Sequence, residues 1–465
     1  MNKYLYVTGF AMMVMACRVG KDYSRPAVNL PSAYNGATTD TNNIAAVPLA
    51  AFIKDDALQQ LVDSALHRNF DLRVAVQHIA TAAASLKTAR QGNLPDVNLP
   101  VTANRTWYSK NSLNGSLANQ FASNSYIDDY NAGLSLNWEV ISWGKISRLK
   151  EAALADYLQT AEASRAVQTS VISEVAQGYY NLLMLDTQKE VALKNIQLAD
   201  STLTMMQLQY NSGLVTNLAL EQTAAQLRTA QALVPQIEQQ IRIQENALKL
   251  LTGEMPGNIS RGNLRALQAD TIPAAGVPVQ LLQYRPDVHA AELAVQAANA
   301  RAGVAAAALY PALTITASLG ANSFTPDKWF NLPGSLYKTL GAGITQPVFQ
   351  RGKLKADLEI ARIAVETSTI GFQRSVVTAV QEVSNALATI EKLKAQYAFV
   401  NQRVAHLQRA TNNANLLFQN GMANYLEVIT AQSNALQSEL ELATIKRDQL
   451  NAVIALYRAL GGGWK

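Results

Sequence analysis

The chain has 465 residues, a formal net charge of +5 and only 16% charged residues, against about 25% in ordinary soluble domains. The positive charge is spread without a basic run or an aromatic platform, which argues against nucleic acid as a partner. One cysteine excludes a disulfide framework, and no apolar run of 18 or more residues follows the N-terminal segment, so a membrane crossing would have to use strands.

Residues 1–16 read as a signal peptide: Lys3 gives a short positive region and Tyr4 to Met15 an apolar one. Val14-Met15-Ala16-Cys17 resembles a bacterial lipobox, so Cys17 is the expected lipidation (palmitate) site and first mature residue. Residues 17–56, with Pro26, Pro31 and Pro48, read as an extended tether. A first repeat, 57–253, begins with one helix from about Ala57 to Gly92, behind the acidic start Asp55-Asp56. The period then changes to two: Val97 to Trp107 and Tyr130 to Val140 alternate apolar with polar residues, as strands do. Gly144 opens a helix to Tyr210, and another spans 216–253, with a kink expected at Pro235.

After a linker, 254–286, the plan returns over 287–461, before a short tail, 462–465. Leu313 to Leu319 and Leu340 to Thr345 are the strands, and the loop between them carries Pro326, Trp329, Phe330 and Pro333. From Lys353 to Gln419 there is no proline and one glycine, and apolar residues recur three or four apart (Leu354, Leu358, Ala361, Val365, Phe372, Val376). A helix of that span is a rod of roughly 100 Å. The two repeats align at a shift of 208: Trp143-Gly144-Lys145 falls on Arg351-Gly352-Lys353, and Gly213 falls on Gly421. Upstream the shift is 216, so Asp71 falls on Asp287 and Pro95 on Pro311. This is a duplication. Gly213 and Gly421 are expected at positive φ, where each long helix turns back.

The fold class is mainly α with a small β part. Each strand is long enough to cross a bilayer, with one face apolar and the other small or polar. Four strands cannot close a barrel, and lipid tolerates no open edge, so several chains must contribute. Two chains give eight strands and a filled interior; three give twelve and a water-filled lumen.

Enzymatic signals are weak. Ser142-Trp-Gly-Lys145 fits the S-x-x-K acyl-serine pattern, but the second copy has Gln350 in place of the serine and the companion motifs are missing. His67 and His78 share a helix face about 16 Å apart, too far for one metal. Met205-Met206 lies in an apolar stripe and reads as packing. No enzyme activity, catalytic residue, cofactor or metal is expected.

The duplicated strand–glycine–long-helix plan, the Tyr/Phe-x-x-Gly turns and Asn424-Tyr-Leu-Glu-Val428 make the chain similar to the TolC family of outer-membrane efflux factors. Cys17-Arg-Val-Gly-Lys-Asp-Tyr-Ser-Arg-Pro26, Leu282-x-x-Arg285-Pro-Asp287 and Ala459-Leu-Gly-Gly-Gly-Trp464 resemble its lipoprotein branch, which serves resistance-nodulation-division (RND) pumps. The resemblance covers essentially the whole mature chain. It implies a homotrimer, with a twelve-stranded transmembrane barrel above a periplasmic α-helical tunnel. It implies an outer-membrane, lipid-anchored channel that passively conducts antibiotics or other cargo. Its partners would be a periplasmic membrane-fusion adaptor, an inner-membrane RND-type pump and outer-membrane lipid.

The helix-tip turns Gly213, Leu214, Val215 and Gly421, Met422, Ala423 are the implied adaptor-docking sites. Tyr425 and Glu427 are the implied periplasmic gate, with Thr430 and Ala423 where relatives often carry acidic and arginine residues. The alternatives are a type I secretion conduit, against which both termini argue, and a periplasmic coiled-coil scaffold that never enters the membrane.

Overall fold

A computed structural model describes residues 19–34, 44–109, 111–116, 126–267 and 275–464; Cys17 and the apolar segment before it lie outside the described residues. The main elements are α1 (Asp56–Arg68), α2 (Phe70–Gln91), β1 (Asp96–Asn98), β2 (Val101–Trp107), β3 (Tyr126–Ile141), α3 (Lys145–Asn211) and α4 (Asn217–Leu251). There follow α5 (Pro286–Ala307), β4 (Ala312–Ser323), β5 (Leu336–Thr345), α6 (Lys353–Gln419) and α7 (Tyr425–Ala459).

The bounds of α3 and α4 become those of α6 and α7 when 208 is added, residue for residue. The bounds of α2 become those of α5 when 216 is added, and the span from the start of β1 to the end of β2 becomes β4. Even the strained turns coincide. Trp143 and Arg351, neither a glycine, sit at φ 51° and 53°, each followed by a glycine at φ 81° or 79°. A left-handed residue with a Cβ costs about 1–2 kcal/mol. Trp143 is held there by its ring: Nε1 donates to the Pro311 carbonyl at 2.6 Å, and the indole lies 5.5 Å from the Tyr310 ring.

Two differences from the sequence reading concern breaks. The expected single helix from Ala57 to Gly92 is two, α1 and α2, parted at Asn69. The Asn69 side chain accepts hydrogen bonds from the Asp71 and Leu72 amides and donates to the Leu251 carbonyl at 2.9 Å. It thus caps α2 at its start and the end of α4 as well, a long-range role that no local pattern announces. Likewise, the strand read from Val97 to Trp107 is interrupted at Leu99-Pro100, because proline has no N–H for the ladder. By contrast α4 runs unbroken through Pro235.

The chain forms two compact units. One contains Ala80–Leu158 and Glu292–Ile370, with the described residues up to Pro26. Its centre is one antiparallel sheet in which β3 pairs with β1 and β2 on one side and β4 on the other, and β4 pairs with β5. The other unit, Ala27–Ile79, Gln159–Ala291 and Gly371–Lys465, is helical. Its core gathers Leu58 and Val62 of α1, Tyr179, Leu182 and Leu183 of α3, Leu248 of α4 and Ile454 of α7. Each such side chain contributes about 1.5–3 kcal/mol on burial. At its edge Asp55 caps α1, accepting from the Ala57 and Leu58 amides, and also accepts the Tyr179 hydroxyl at 3.0 Å.

Candidate channel wall, anchor strap and helix-tip site

The sheet has two chemically distinct faces, which strand register keeps aligned; only toward the loop end does the aliphatic side take up charge, as Lys338 and the Arg105–Asp128 ion pair. Leu134 pairs with Leu319, Leu136 with Ala317 and Trp138 with Ile315; on β5, Leu340 meets Ala317 and Ile344 meets Leu313. The alternate positions pair Asn131 with Asn322, Ser135 with Ser318, Asn137 with Thr316, and Thr316 with Gly341. Since neighbours along a strand point to opposite sides, one face is aliphatic and the other is hydroxyl, amide and glycine. Among the described residues nothing covers the aliphatic face: Leu340 is 80% exposed and Ile344 73%. On the polar face the backbones approach closely at Gly133 and Gly320, where a Cβ on Gly320 would lie 2.4 Å from the Ala132 carbonyl oxygen. Among the described residues both outer strands, β2 and β5, are unpaired along one edge.

Within the segment read as an extended tether, the chain from Val19 to Arg25 is a docked strap. The Val19 amide donates to the Trp143 carbonyl at 3.3 Å, at the turn between β3 and α3. Arg148, buried to 3% side-chain exposure, pairs with Asp22 at 3.0 Å and donates to the Gly20 carbonyl at 3.1 Å. Arg25 and Tyr23 both donate to Glu292 of α5, at 2.7 and 3.1 Å. Burial, reinforced by the Glu292 charge, pushes the Tyr23 phenol up to about 12. The sequence offered one signal, the charged run Lys21 to Arg25, but its partners lie more than 100 residues away.

The two tips are built alike. Gly213 and Gly421 both have φ +72°, and no atom lies within 4 Å of where a Cβ would stand. The Gly213 amide donates to the Tyr210 carbonyl and the Leu214 amide to Gln209, both at 2.9 Å; Gly421 and Met422 repeat this with Phe418 and Leu417. This double bond pattern satisfies the last carbonyls of each long helix. Thr216 and Asn424 then cap α4 and α7, accepting from the Ala219 and Leu426 amides. Leu214 and Met422 remain exposed at the apex, while Val215, Ala423 and Tyr425 pack against a small core of Met206, Ala219, Phe418 and Val428 that joins the two hairpins. Met206 is thus packing.

Of the residues implied for a gate, Glu427 is exposed in the first turn of α7. The Tyr425 hydroxyl donates to Gln222 of α4 at 2.5 Å. Further along, α7 is tied to α3 by a row of polar contacts the sequence reading missed. Gln432 donates to Thr202 at 3.0 Å, Gln188 to Thr444 at 3.1 Å, and Arg447 to Asn181 at 2.9 Å. Elsewhere Lys145 pairs with Glu139 at 2.9 Å, and among the described residues no three His, Cys, Asp or Glu side chains form a metal cluster.

Residues 61–254 and 277–462 match the family described as outer membrane efflux protein. The solvent efflux pump outer membrane protein SrpC of Pseudomonas putida is 31% identical over 476 residues, covering 99% of each chain. The cation efflux system protein CusC of Escherichia coli O6:H1 is 29% identical over 462 residues, 98% of this chain and 97% of that one. A CusC crystal structure, 28% identical, superposes with a TM-score of 0.83 over 96% of this chain and all of that one. The probable outer membrane lipoprotein SilC of Salmonella typhimurium is 26% identical over 467 residues, 99% of each chain.

Proposed function

Because the chain belongs to the outer membrane efflux protein family, we propose that it is the outer-membrane channel subunit of a tripartite efflux pump, with three copies closing one conduit. The observation that carries this reading is the two-faced sheet with two open edges. Its aliphatic face suits lipid and its hydroxyl and amide face suits water, and open edges are not tolerated in a bilayer. Three copies bring twelve strands and enclose a water-filled lumen. In the same reading the paired helices of the two repeats, 57–253 and 287–461, form a periplasmic α-helical tunnel. Conduction is passive: an inner-membrane pump and a periplasmic adaptor deliver the cargo, and no chemistry is done on it. Relatives of nearly equal identity are named for a cation and for a solvent pump, so likeness to them does not select the cargo.

The test is conductance. Purified protein should form trimers that give discrete single-channel steps in planar bilayers and a heat-resistant β signal in detergent. A monomer or elongated helical oligomer with no conductance would replace this reading with that of a periplasmic scaffold.

Cys17 carries the lipid anchor in this reading. The docked strap holds the chain from Val19 onward beside the strand-to-helix turn, two residues from the cysteine. Metabolic labelling with a fatty acid should mark the wild type and leave Cys17→Ser unmarked. Equal labelling of both would remove the anchor. Glu427 supplies one carboxylate per copy near the pore axis, just beyond the second tip, with Tyr425 beside it. A ring of three carboxylates attracts cations and repels anions. Glu427→Gln should therefore reduce cation preference, read as a smaller reversal potential in a salt gradient. Melting should barely move, since an exposed first-turn carboxylate contributes only about 0.3–1 kcal/mol. An unchanged reversal potential would place the selectivity elsewhere.

A further inference from the structure

We infer the residue-by-residue register with which the strands of one copy meet those of the next: β5 pairs antiparallel with β2 of a second copy, Ala342 opposite Ala103. This rests on the three-copy reading above and specifies the contact that reading requires.

Hydrogen-bond direction restricts which residues can meet. In an antiparallel ladder the N–H and C=O of one residue point to the same side, and the side alternates along the strand. The Pro100 carbonyl accepts from the Gly133 amide, so position 100 faces β3. Val101, Ala103, Arg105 and Trp107 therefore present their backbone groups to the open edge. On the opposite edge, the Asn322 amide donates to the Ser335 carbonyl, so the even residues of β4 face β5. Their partners are Tyr337, Thr339 and Gly341. Lys338, Leu340, Ala342 and Ile344 are left facing outward. Odd residues of β2 must meet even residues of β5.

The two faces of the sheet restrict the pairing further. The side that Leu134 and Leu340 define carries Val101, Ala103 and Trp107 of β2 and Leu340, Ala342 and Ile344 of β5, with Lys338 and Arg105, the latter paired to Asp128, toward its loop end. A register that joins them keeps both faces continuous around the barrel; a slip of one residue would turn aliphatic side chains into water. Only registers that differ by two residues survive.

The duplication selects among them. Within one chain, β3 and β4 are the contact between the first repeat and the second, and Leu134 pairs there with Leu319. The next such contact around the ring is between the second repeat of one copy and the first of its neighbour. Adding 208 to Leu134 gives Ala342, and subtracting 216 from Leu319 gives Ala103. The same shift sets Leu340 opposite Arg105, Ile344 opposite Val101, and Lys338 opposite Trp107, a cation against an indole at one end of the aliphatic face.

Disulfide trapping reads this directly. Ala103→Cys is combined in turn with Leu340→Cys, Ala342→Cys and Ile344→Cys, and detergent-extracted trimers are treated with a mild oxidant. Directly opposed residues have Cα atoms about 5.5 Å apart, inside the disulfide range, whereas a two-residue offset puts them at roughly 8 Å, outside it. The 103/342 pair should give a covalent trimer ladder, and the single variants and the two offset pairs at least about tenfold less. A dominant 103/340 or 103/344 ladder would overturn the register while leaving the barrel intact. Trimers that cross-link with no pair would show that these edges do not meet. Absence of trimers altogether would remove the three-copy reading itself.

Discussion

Replacing Gly213 and Gly421 together by valine is expected to abolish efflux while trimers still reach the outer membrane. Both glycines sit at φ +72° with open space where a Cβ would go, so the damage comes from backbone conformation and not from a clash. A β-branched residue held in that region costs on the order of 1–3 kcal/mol at each turn, and the turn relaxes by moving its apex. The apex displays the exposed apolar residues Leu214 and Met422, the adaptor contacts that the family resemblance implies. Since 1.4 kcal/mol is a factor of ten, adaptor affinity should fall about tenfold or more, measurable by binding of purified adaptor and by drug or metal tolerance. Gly213→Asn with Gly421→Asn serves as the control, because asparagine accepts a left-handed backbone, and should restore most of the loss. Wild-type tolerance in the valine double variant would take the tips out of the docking mechanism.

A comparably large effect, on stability this time, is expected at Arg285. Its guanidinium is buried and makes two bonds to Asp287, at 2.9 and 2.5 Å, one to Glu382 at 2.6 Å and one to the Ala459 carbonyl at 3.0 Å. It therefore joins the start of α5, the middle of α6 and the end of α7. Arg285→Ala leaves two carboxylates and a helix-end carbonyl without their partner. Both carboxylates are nearly half exposed, which discounts the cost for a fully buried pair to about 2–3 kcal/mol. Unfolding in detergent should move to lower temperature by several degrees. Arg285→Lys should recover only part of that, since an ammonium cannot bridge three acceptors.

The pH dependence follows from Asp287. Burial pushes its carboxyl up, but the Arg285 hydrogen bonds and charge outweigh this and hold it below the ordinary value. A depressed folded value means the contribution is full above the unfolded carboxylate range, near pH 4, and is lost as pH falls through the folded value. Between about pH 5 and 2 the wild type should lose stability more steeply than Arg285→Ala. Parallel melting curves across that range would refute the coupling.

Much of this architecture was determined by the sequence alone. The 3–4 stepping of apolar residues set the long helices, and their ends followed from Gly213 and Gly421, because helix period and left-handed caps are local properties of the backbone. Period-two alternation set the strands and both of their faces. The duplication, read from residues that stay aligned at a shift of 208, is expressed in the fold as matching helix bounds.

What only the tertiary structure decided is where distant residues meet. Asn69 divides the expected first helix because Leu251, 182 residues away, offers it a carbonyl. The strap behind Cys17 is docked because Arg148 and Glu292 are buried against it, partners that its own prolines and polar residues, read as an extended tether, do not name. The polar row between α3 and α7 is likewise silent in sequence, since Gln188 or Thr202 taken alone reads as one more solvated helix position. In each case the deciding energy is a hydrogen bond or ion pair made across the fold, and a buried polar group without its partner is costly whichever stretch of chain supplies it.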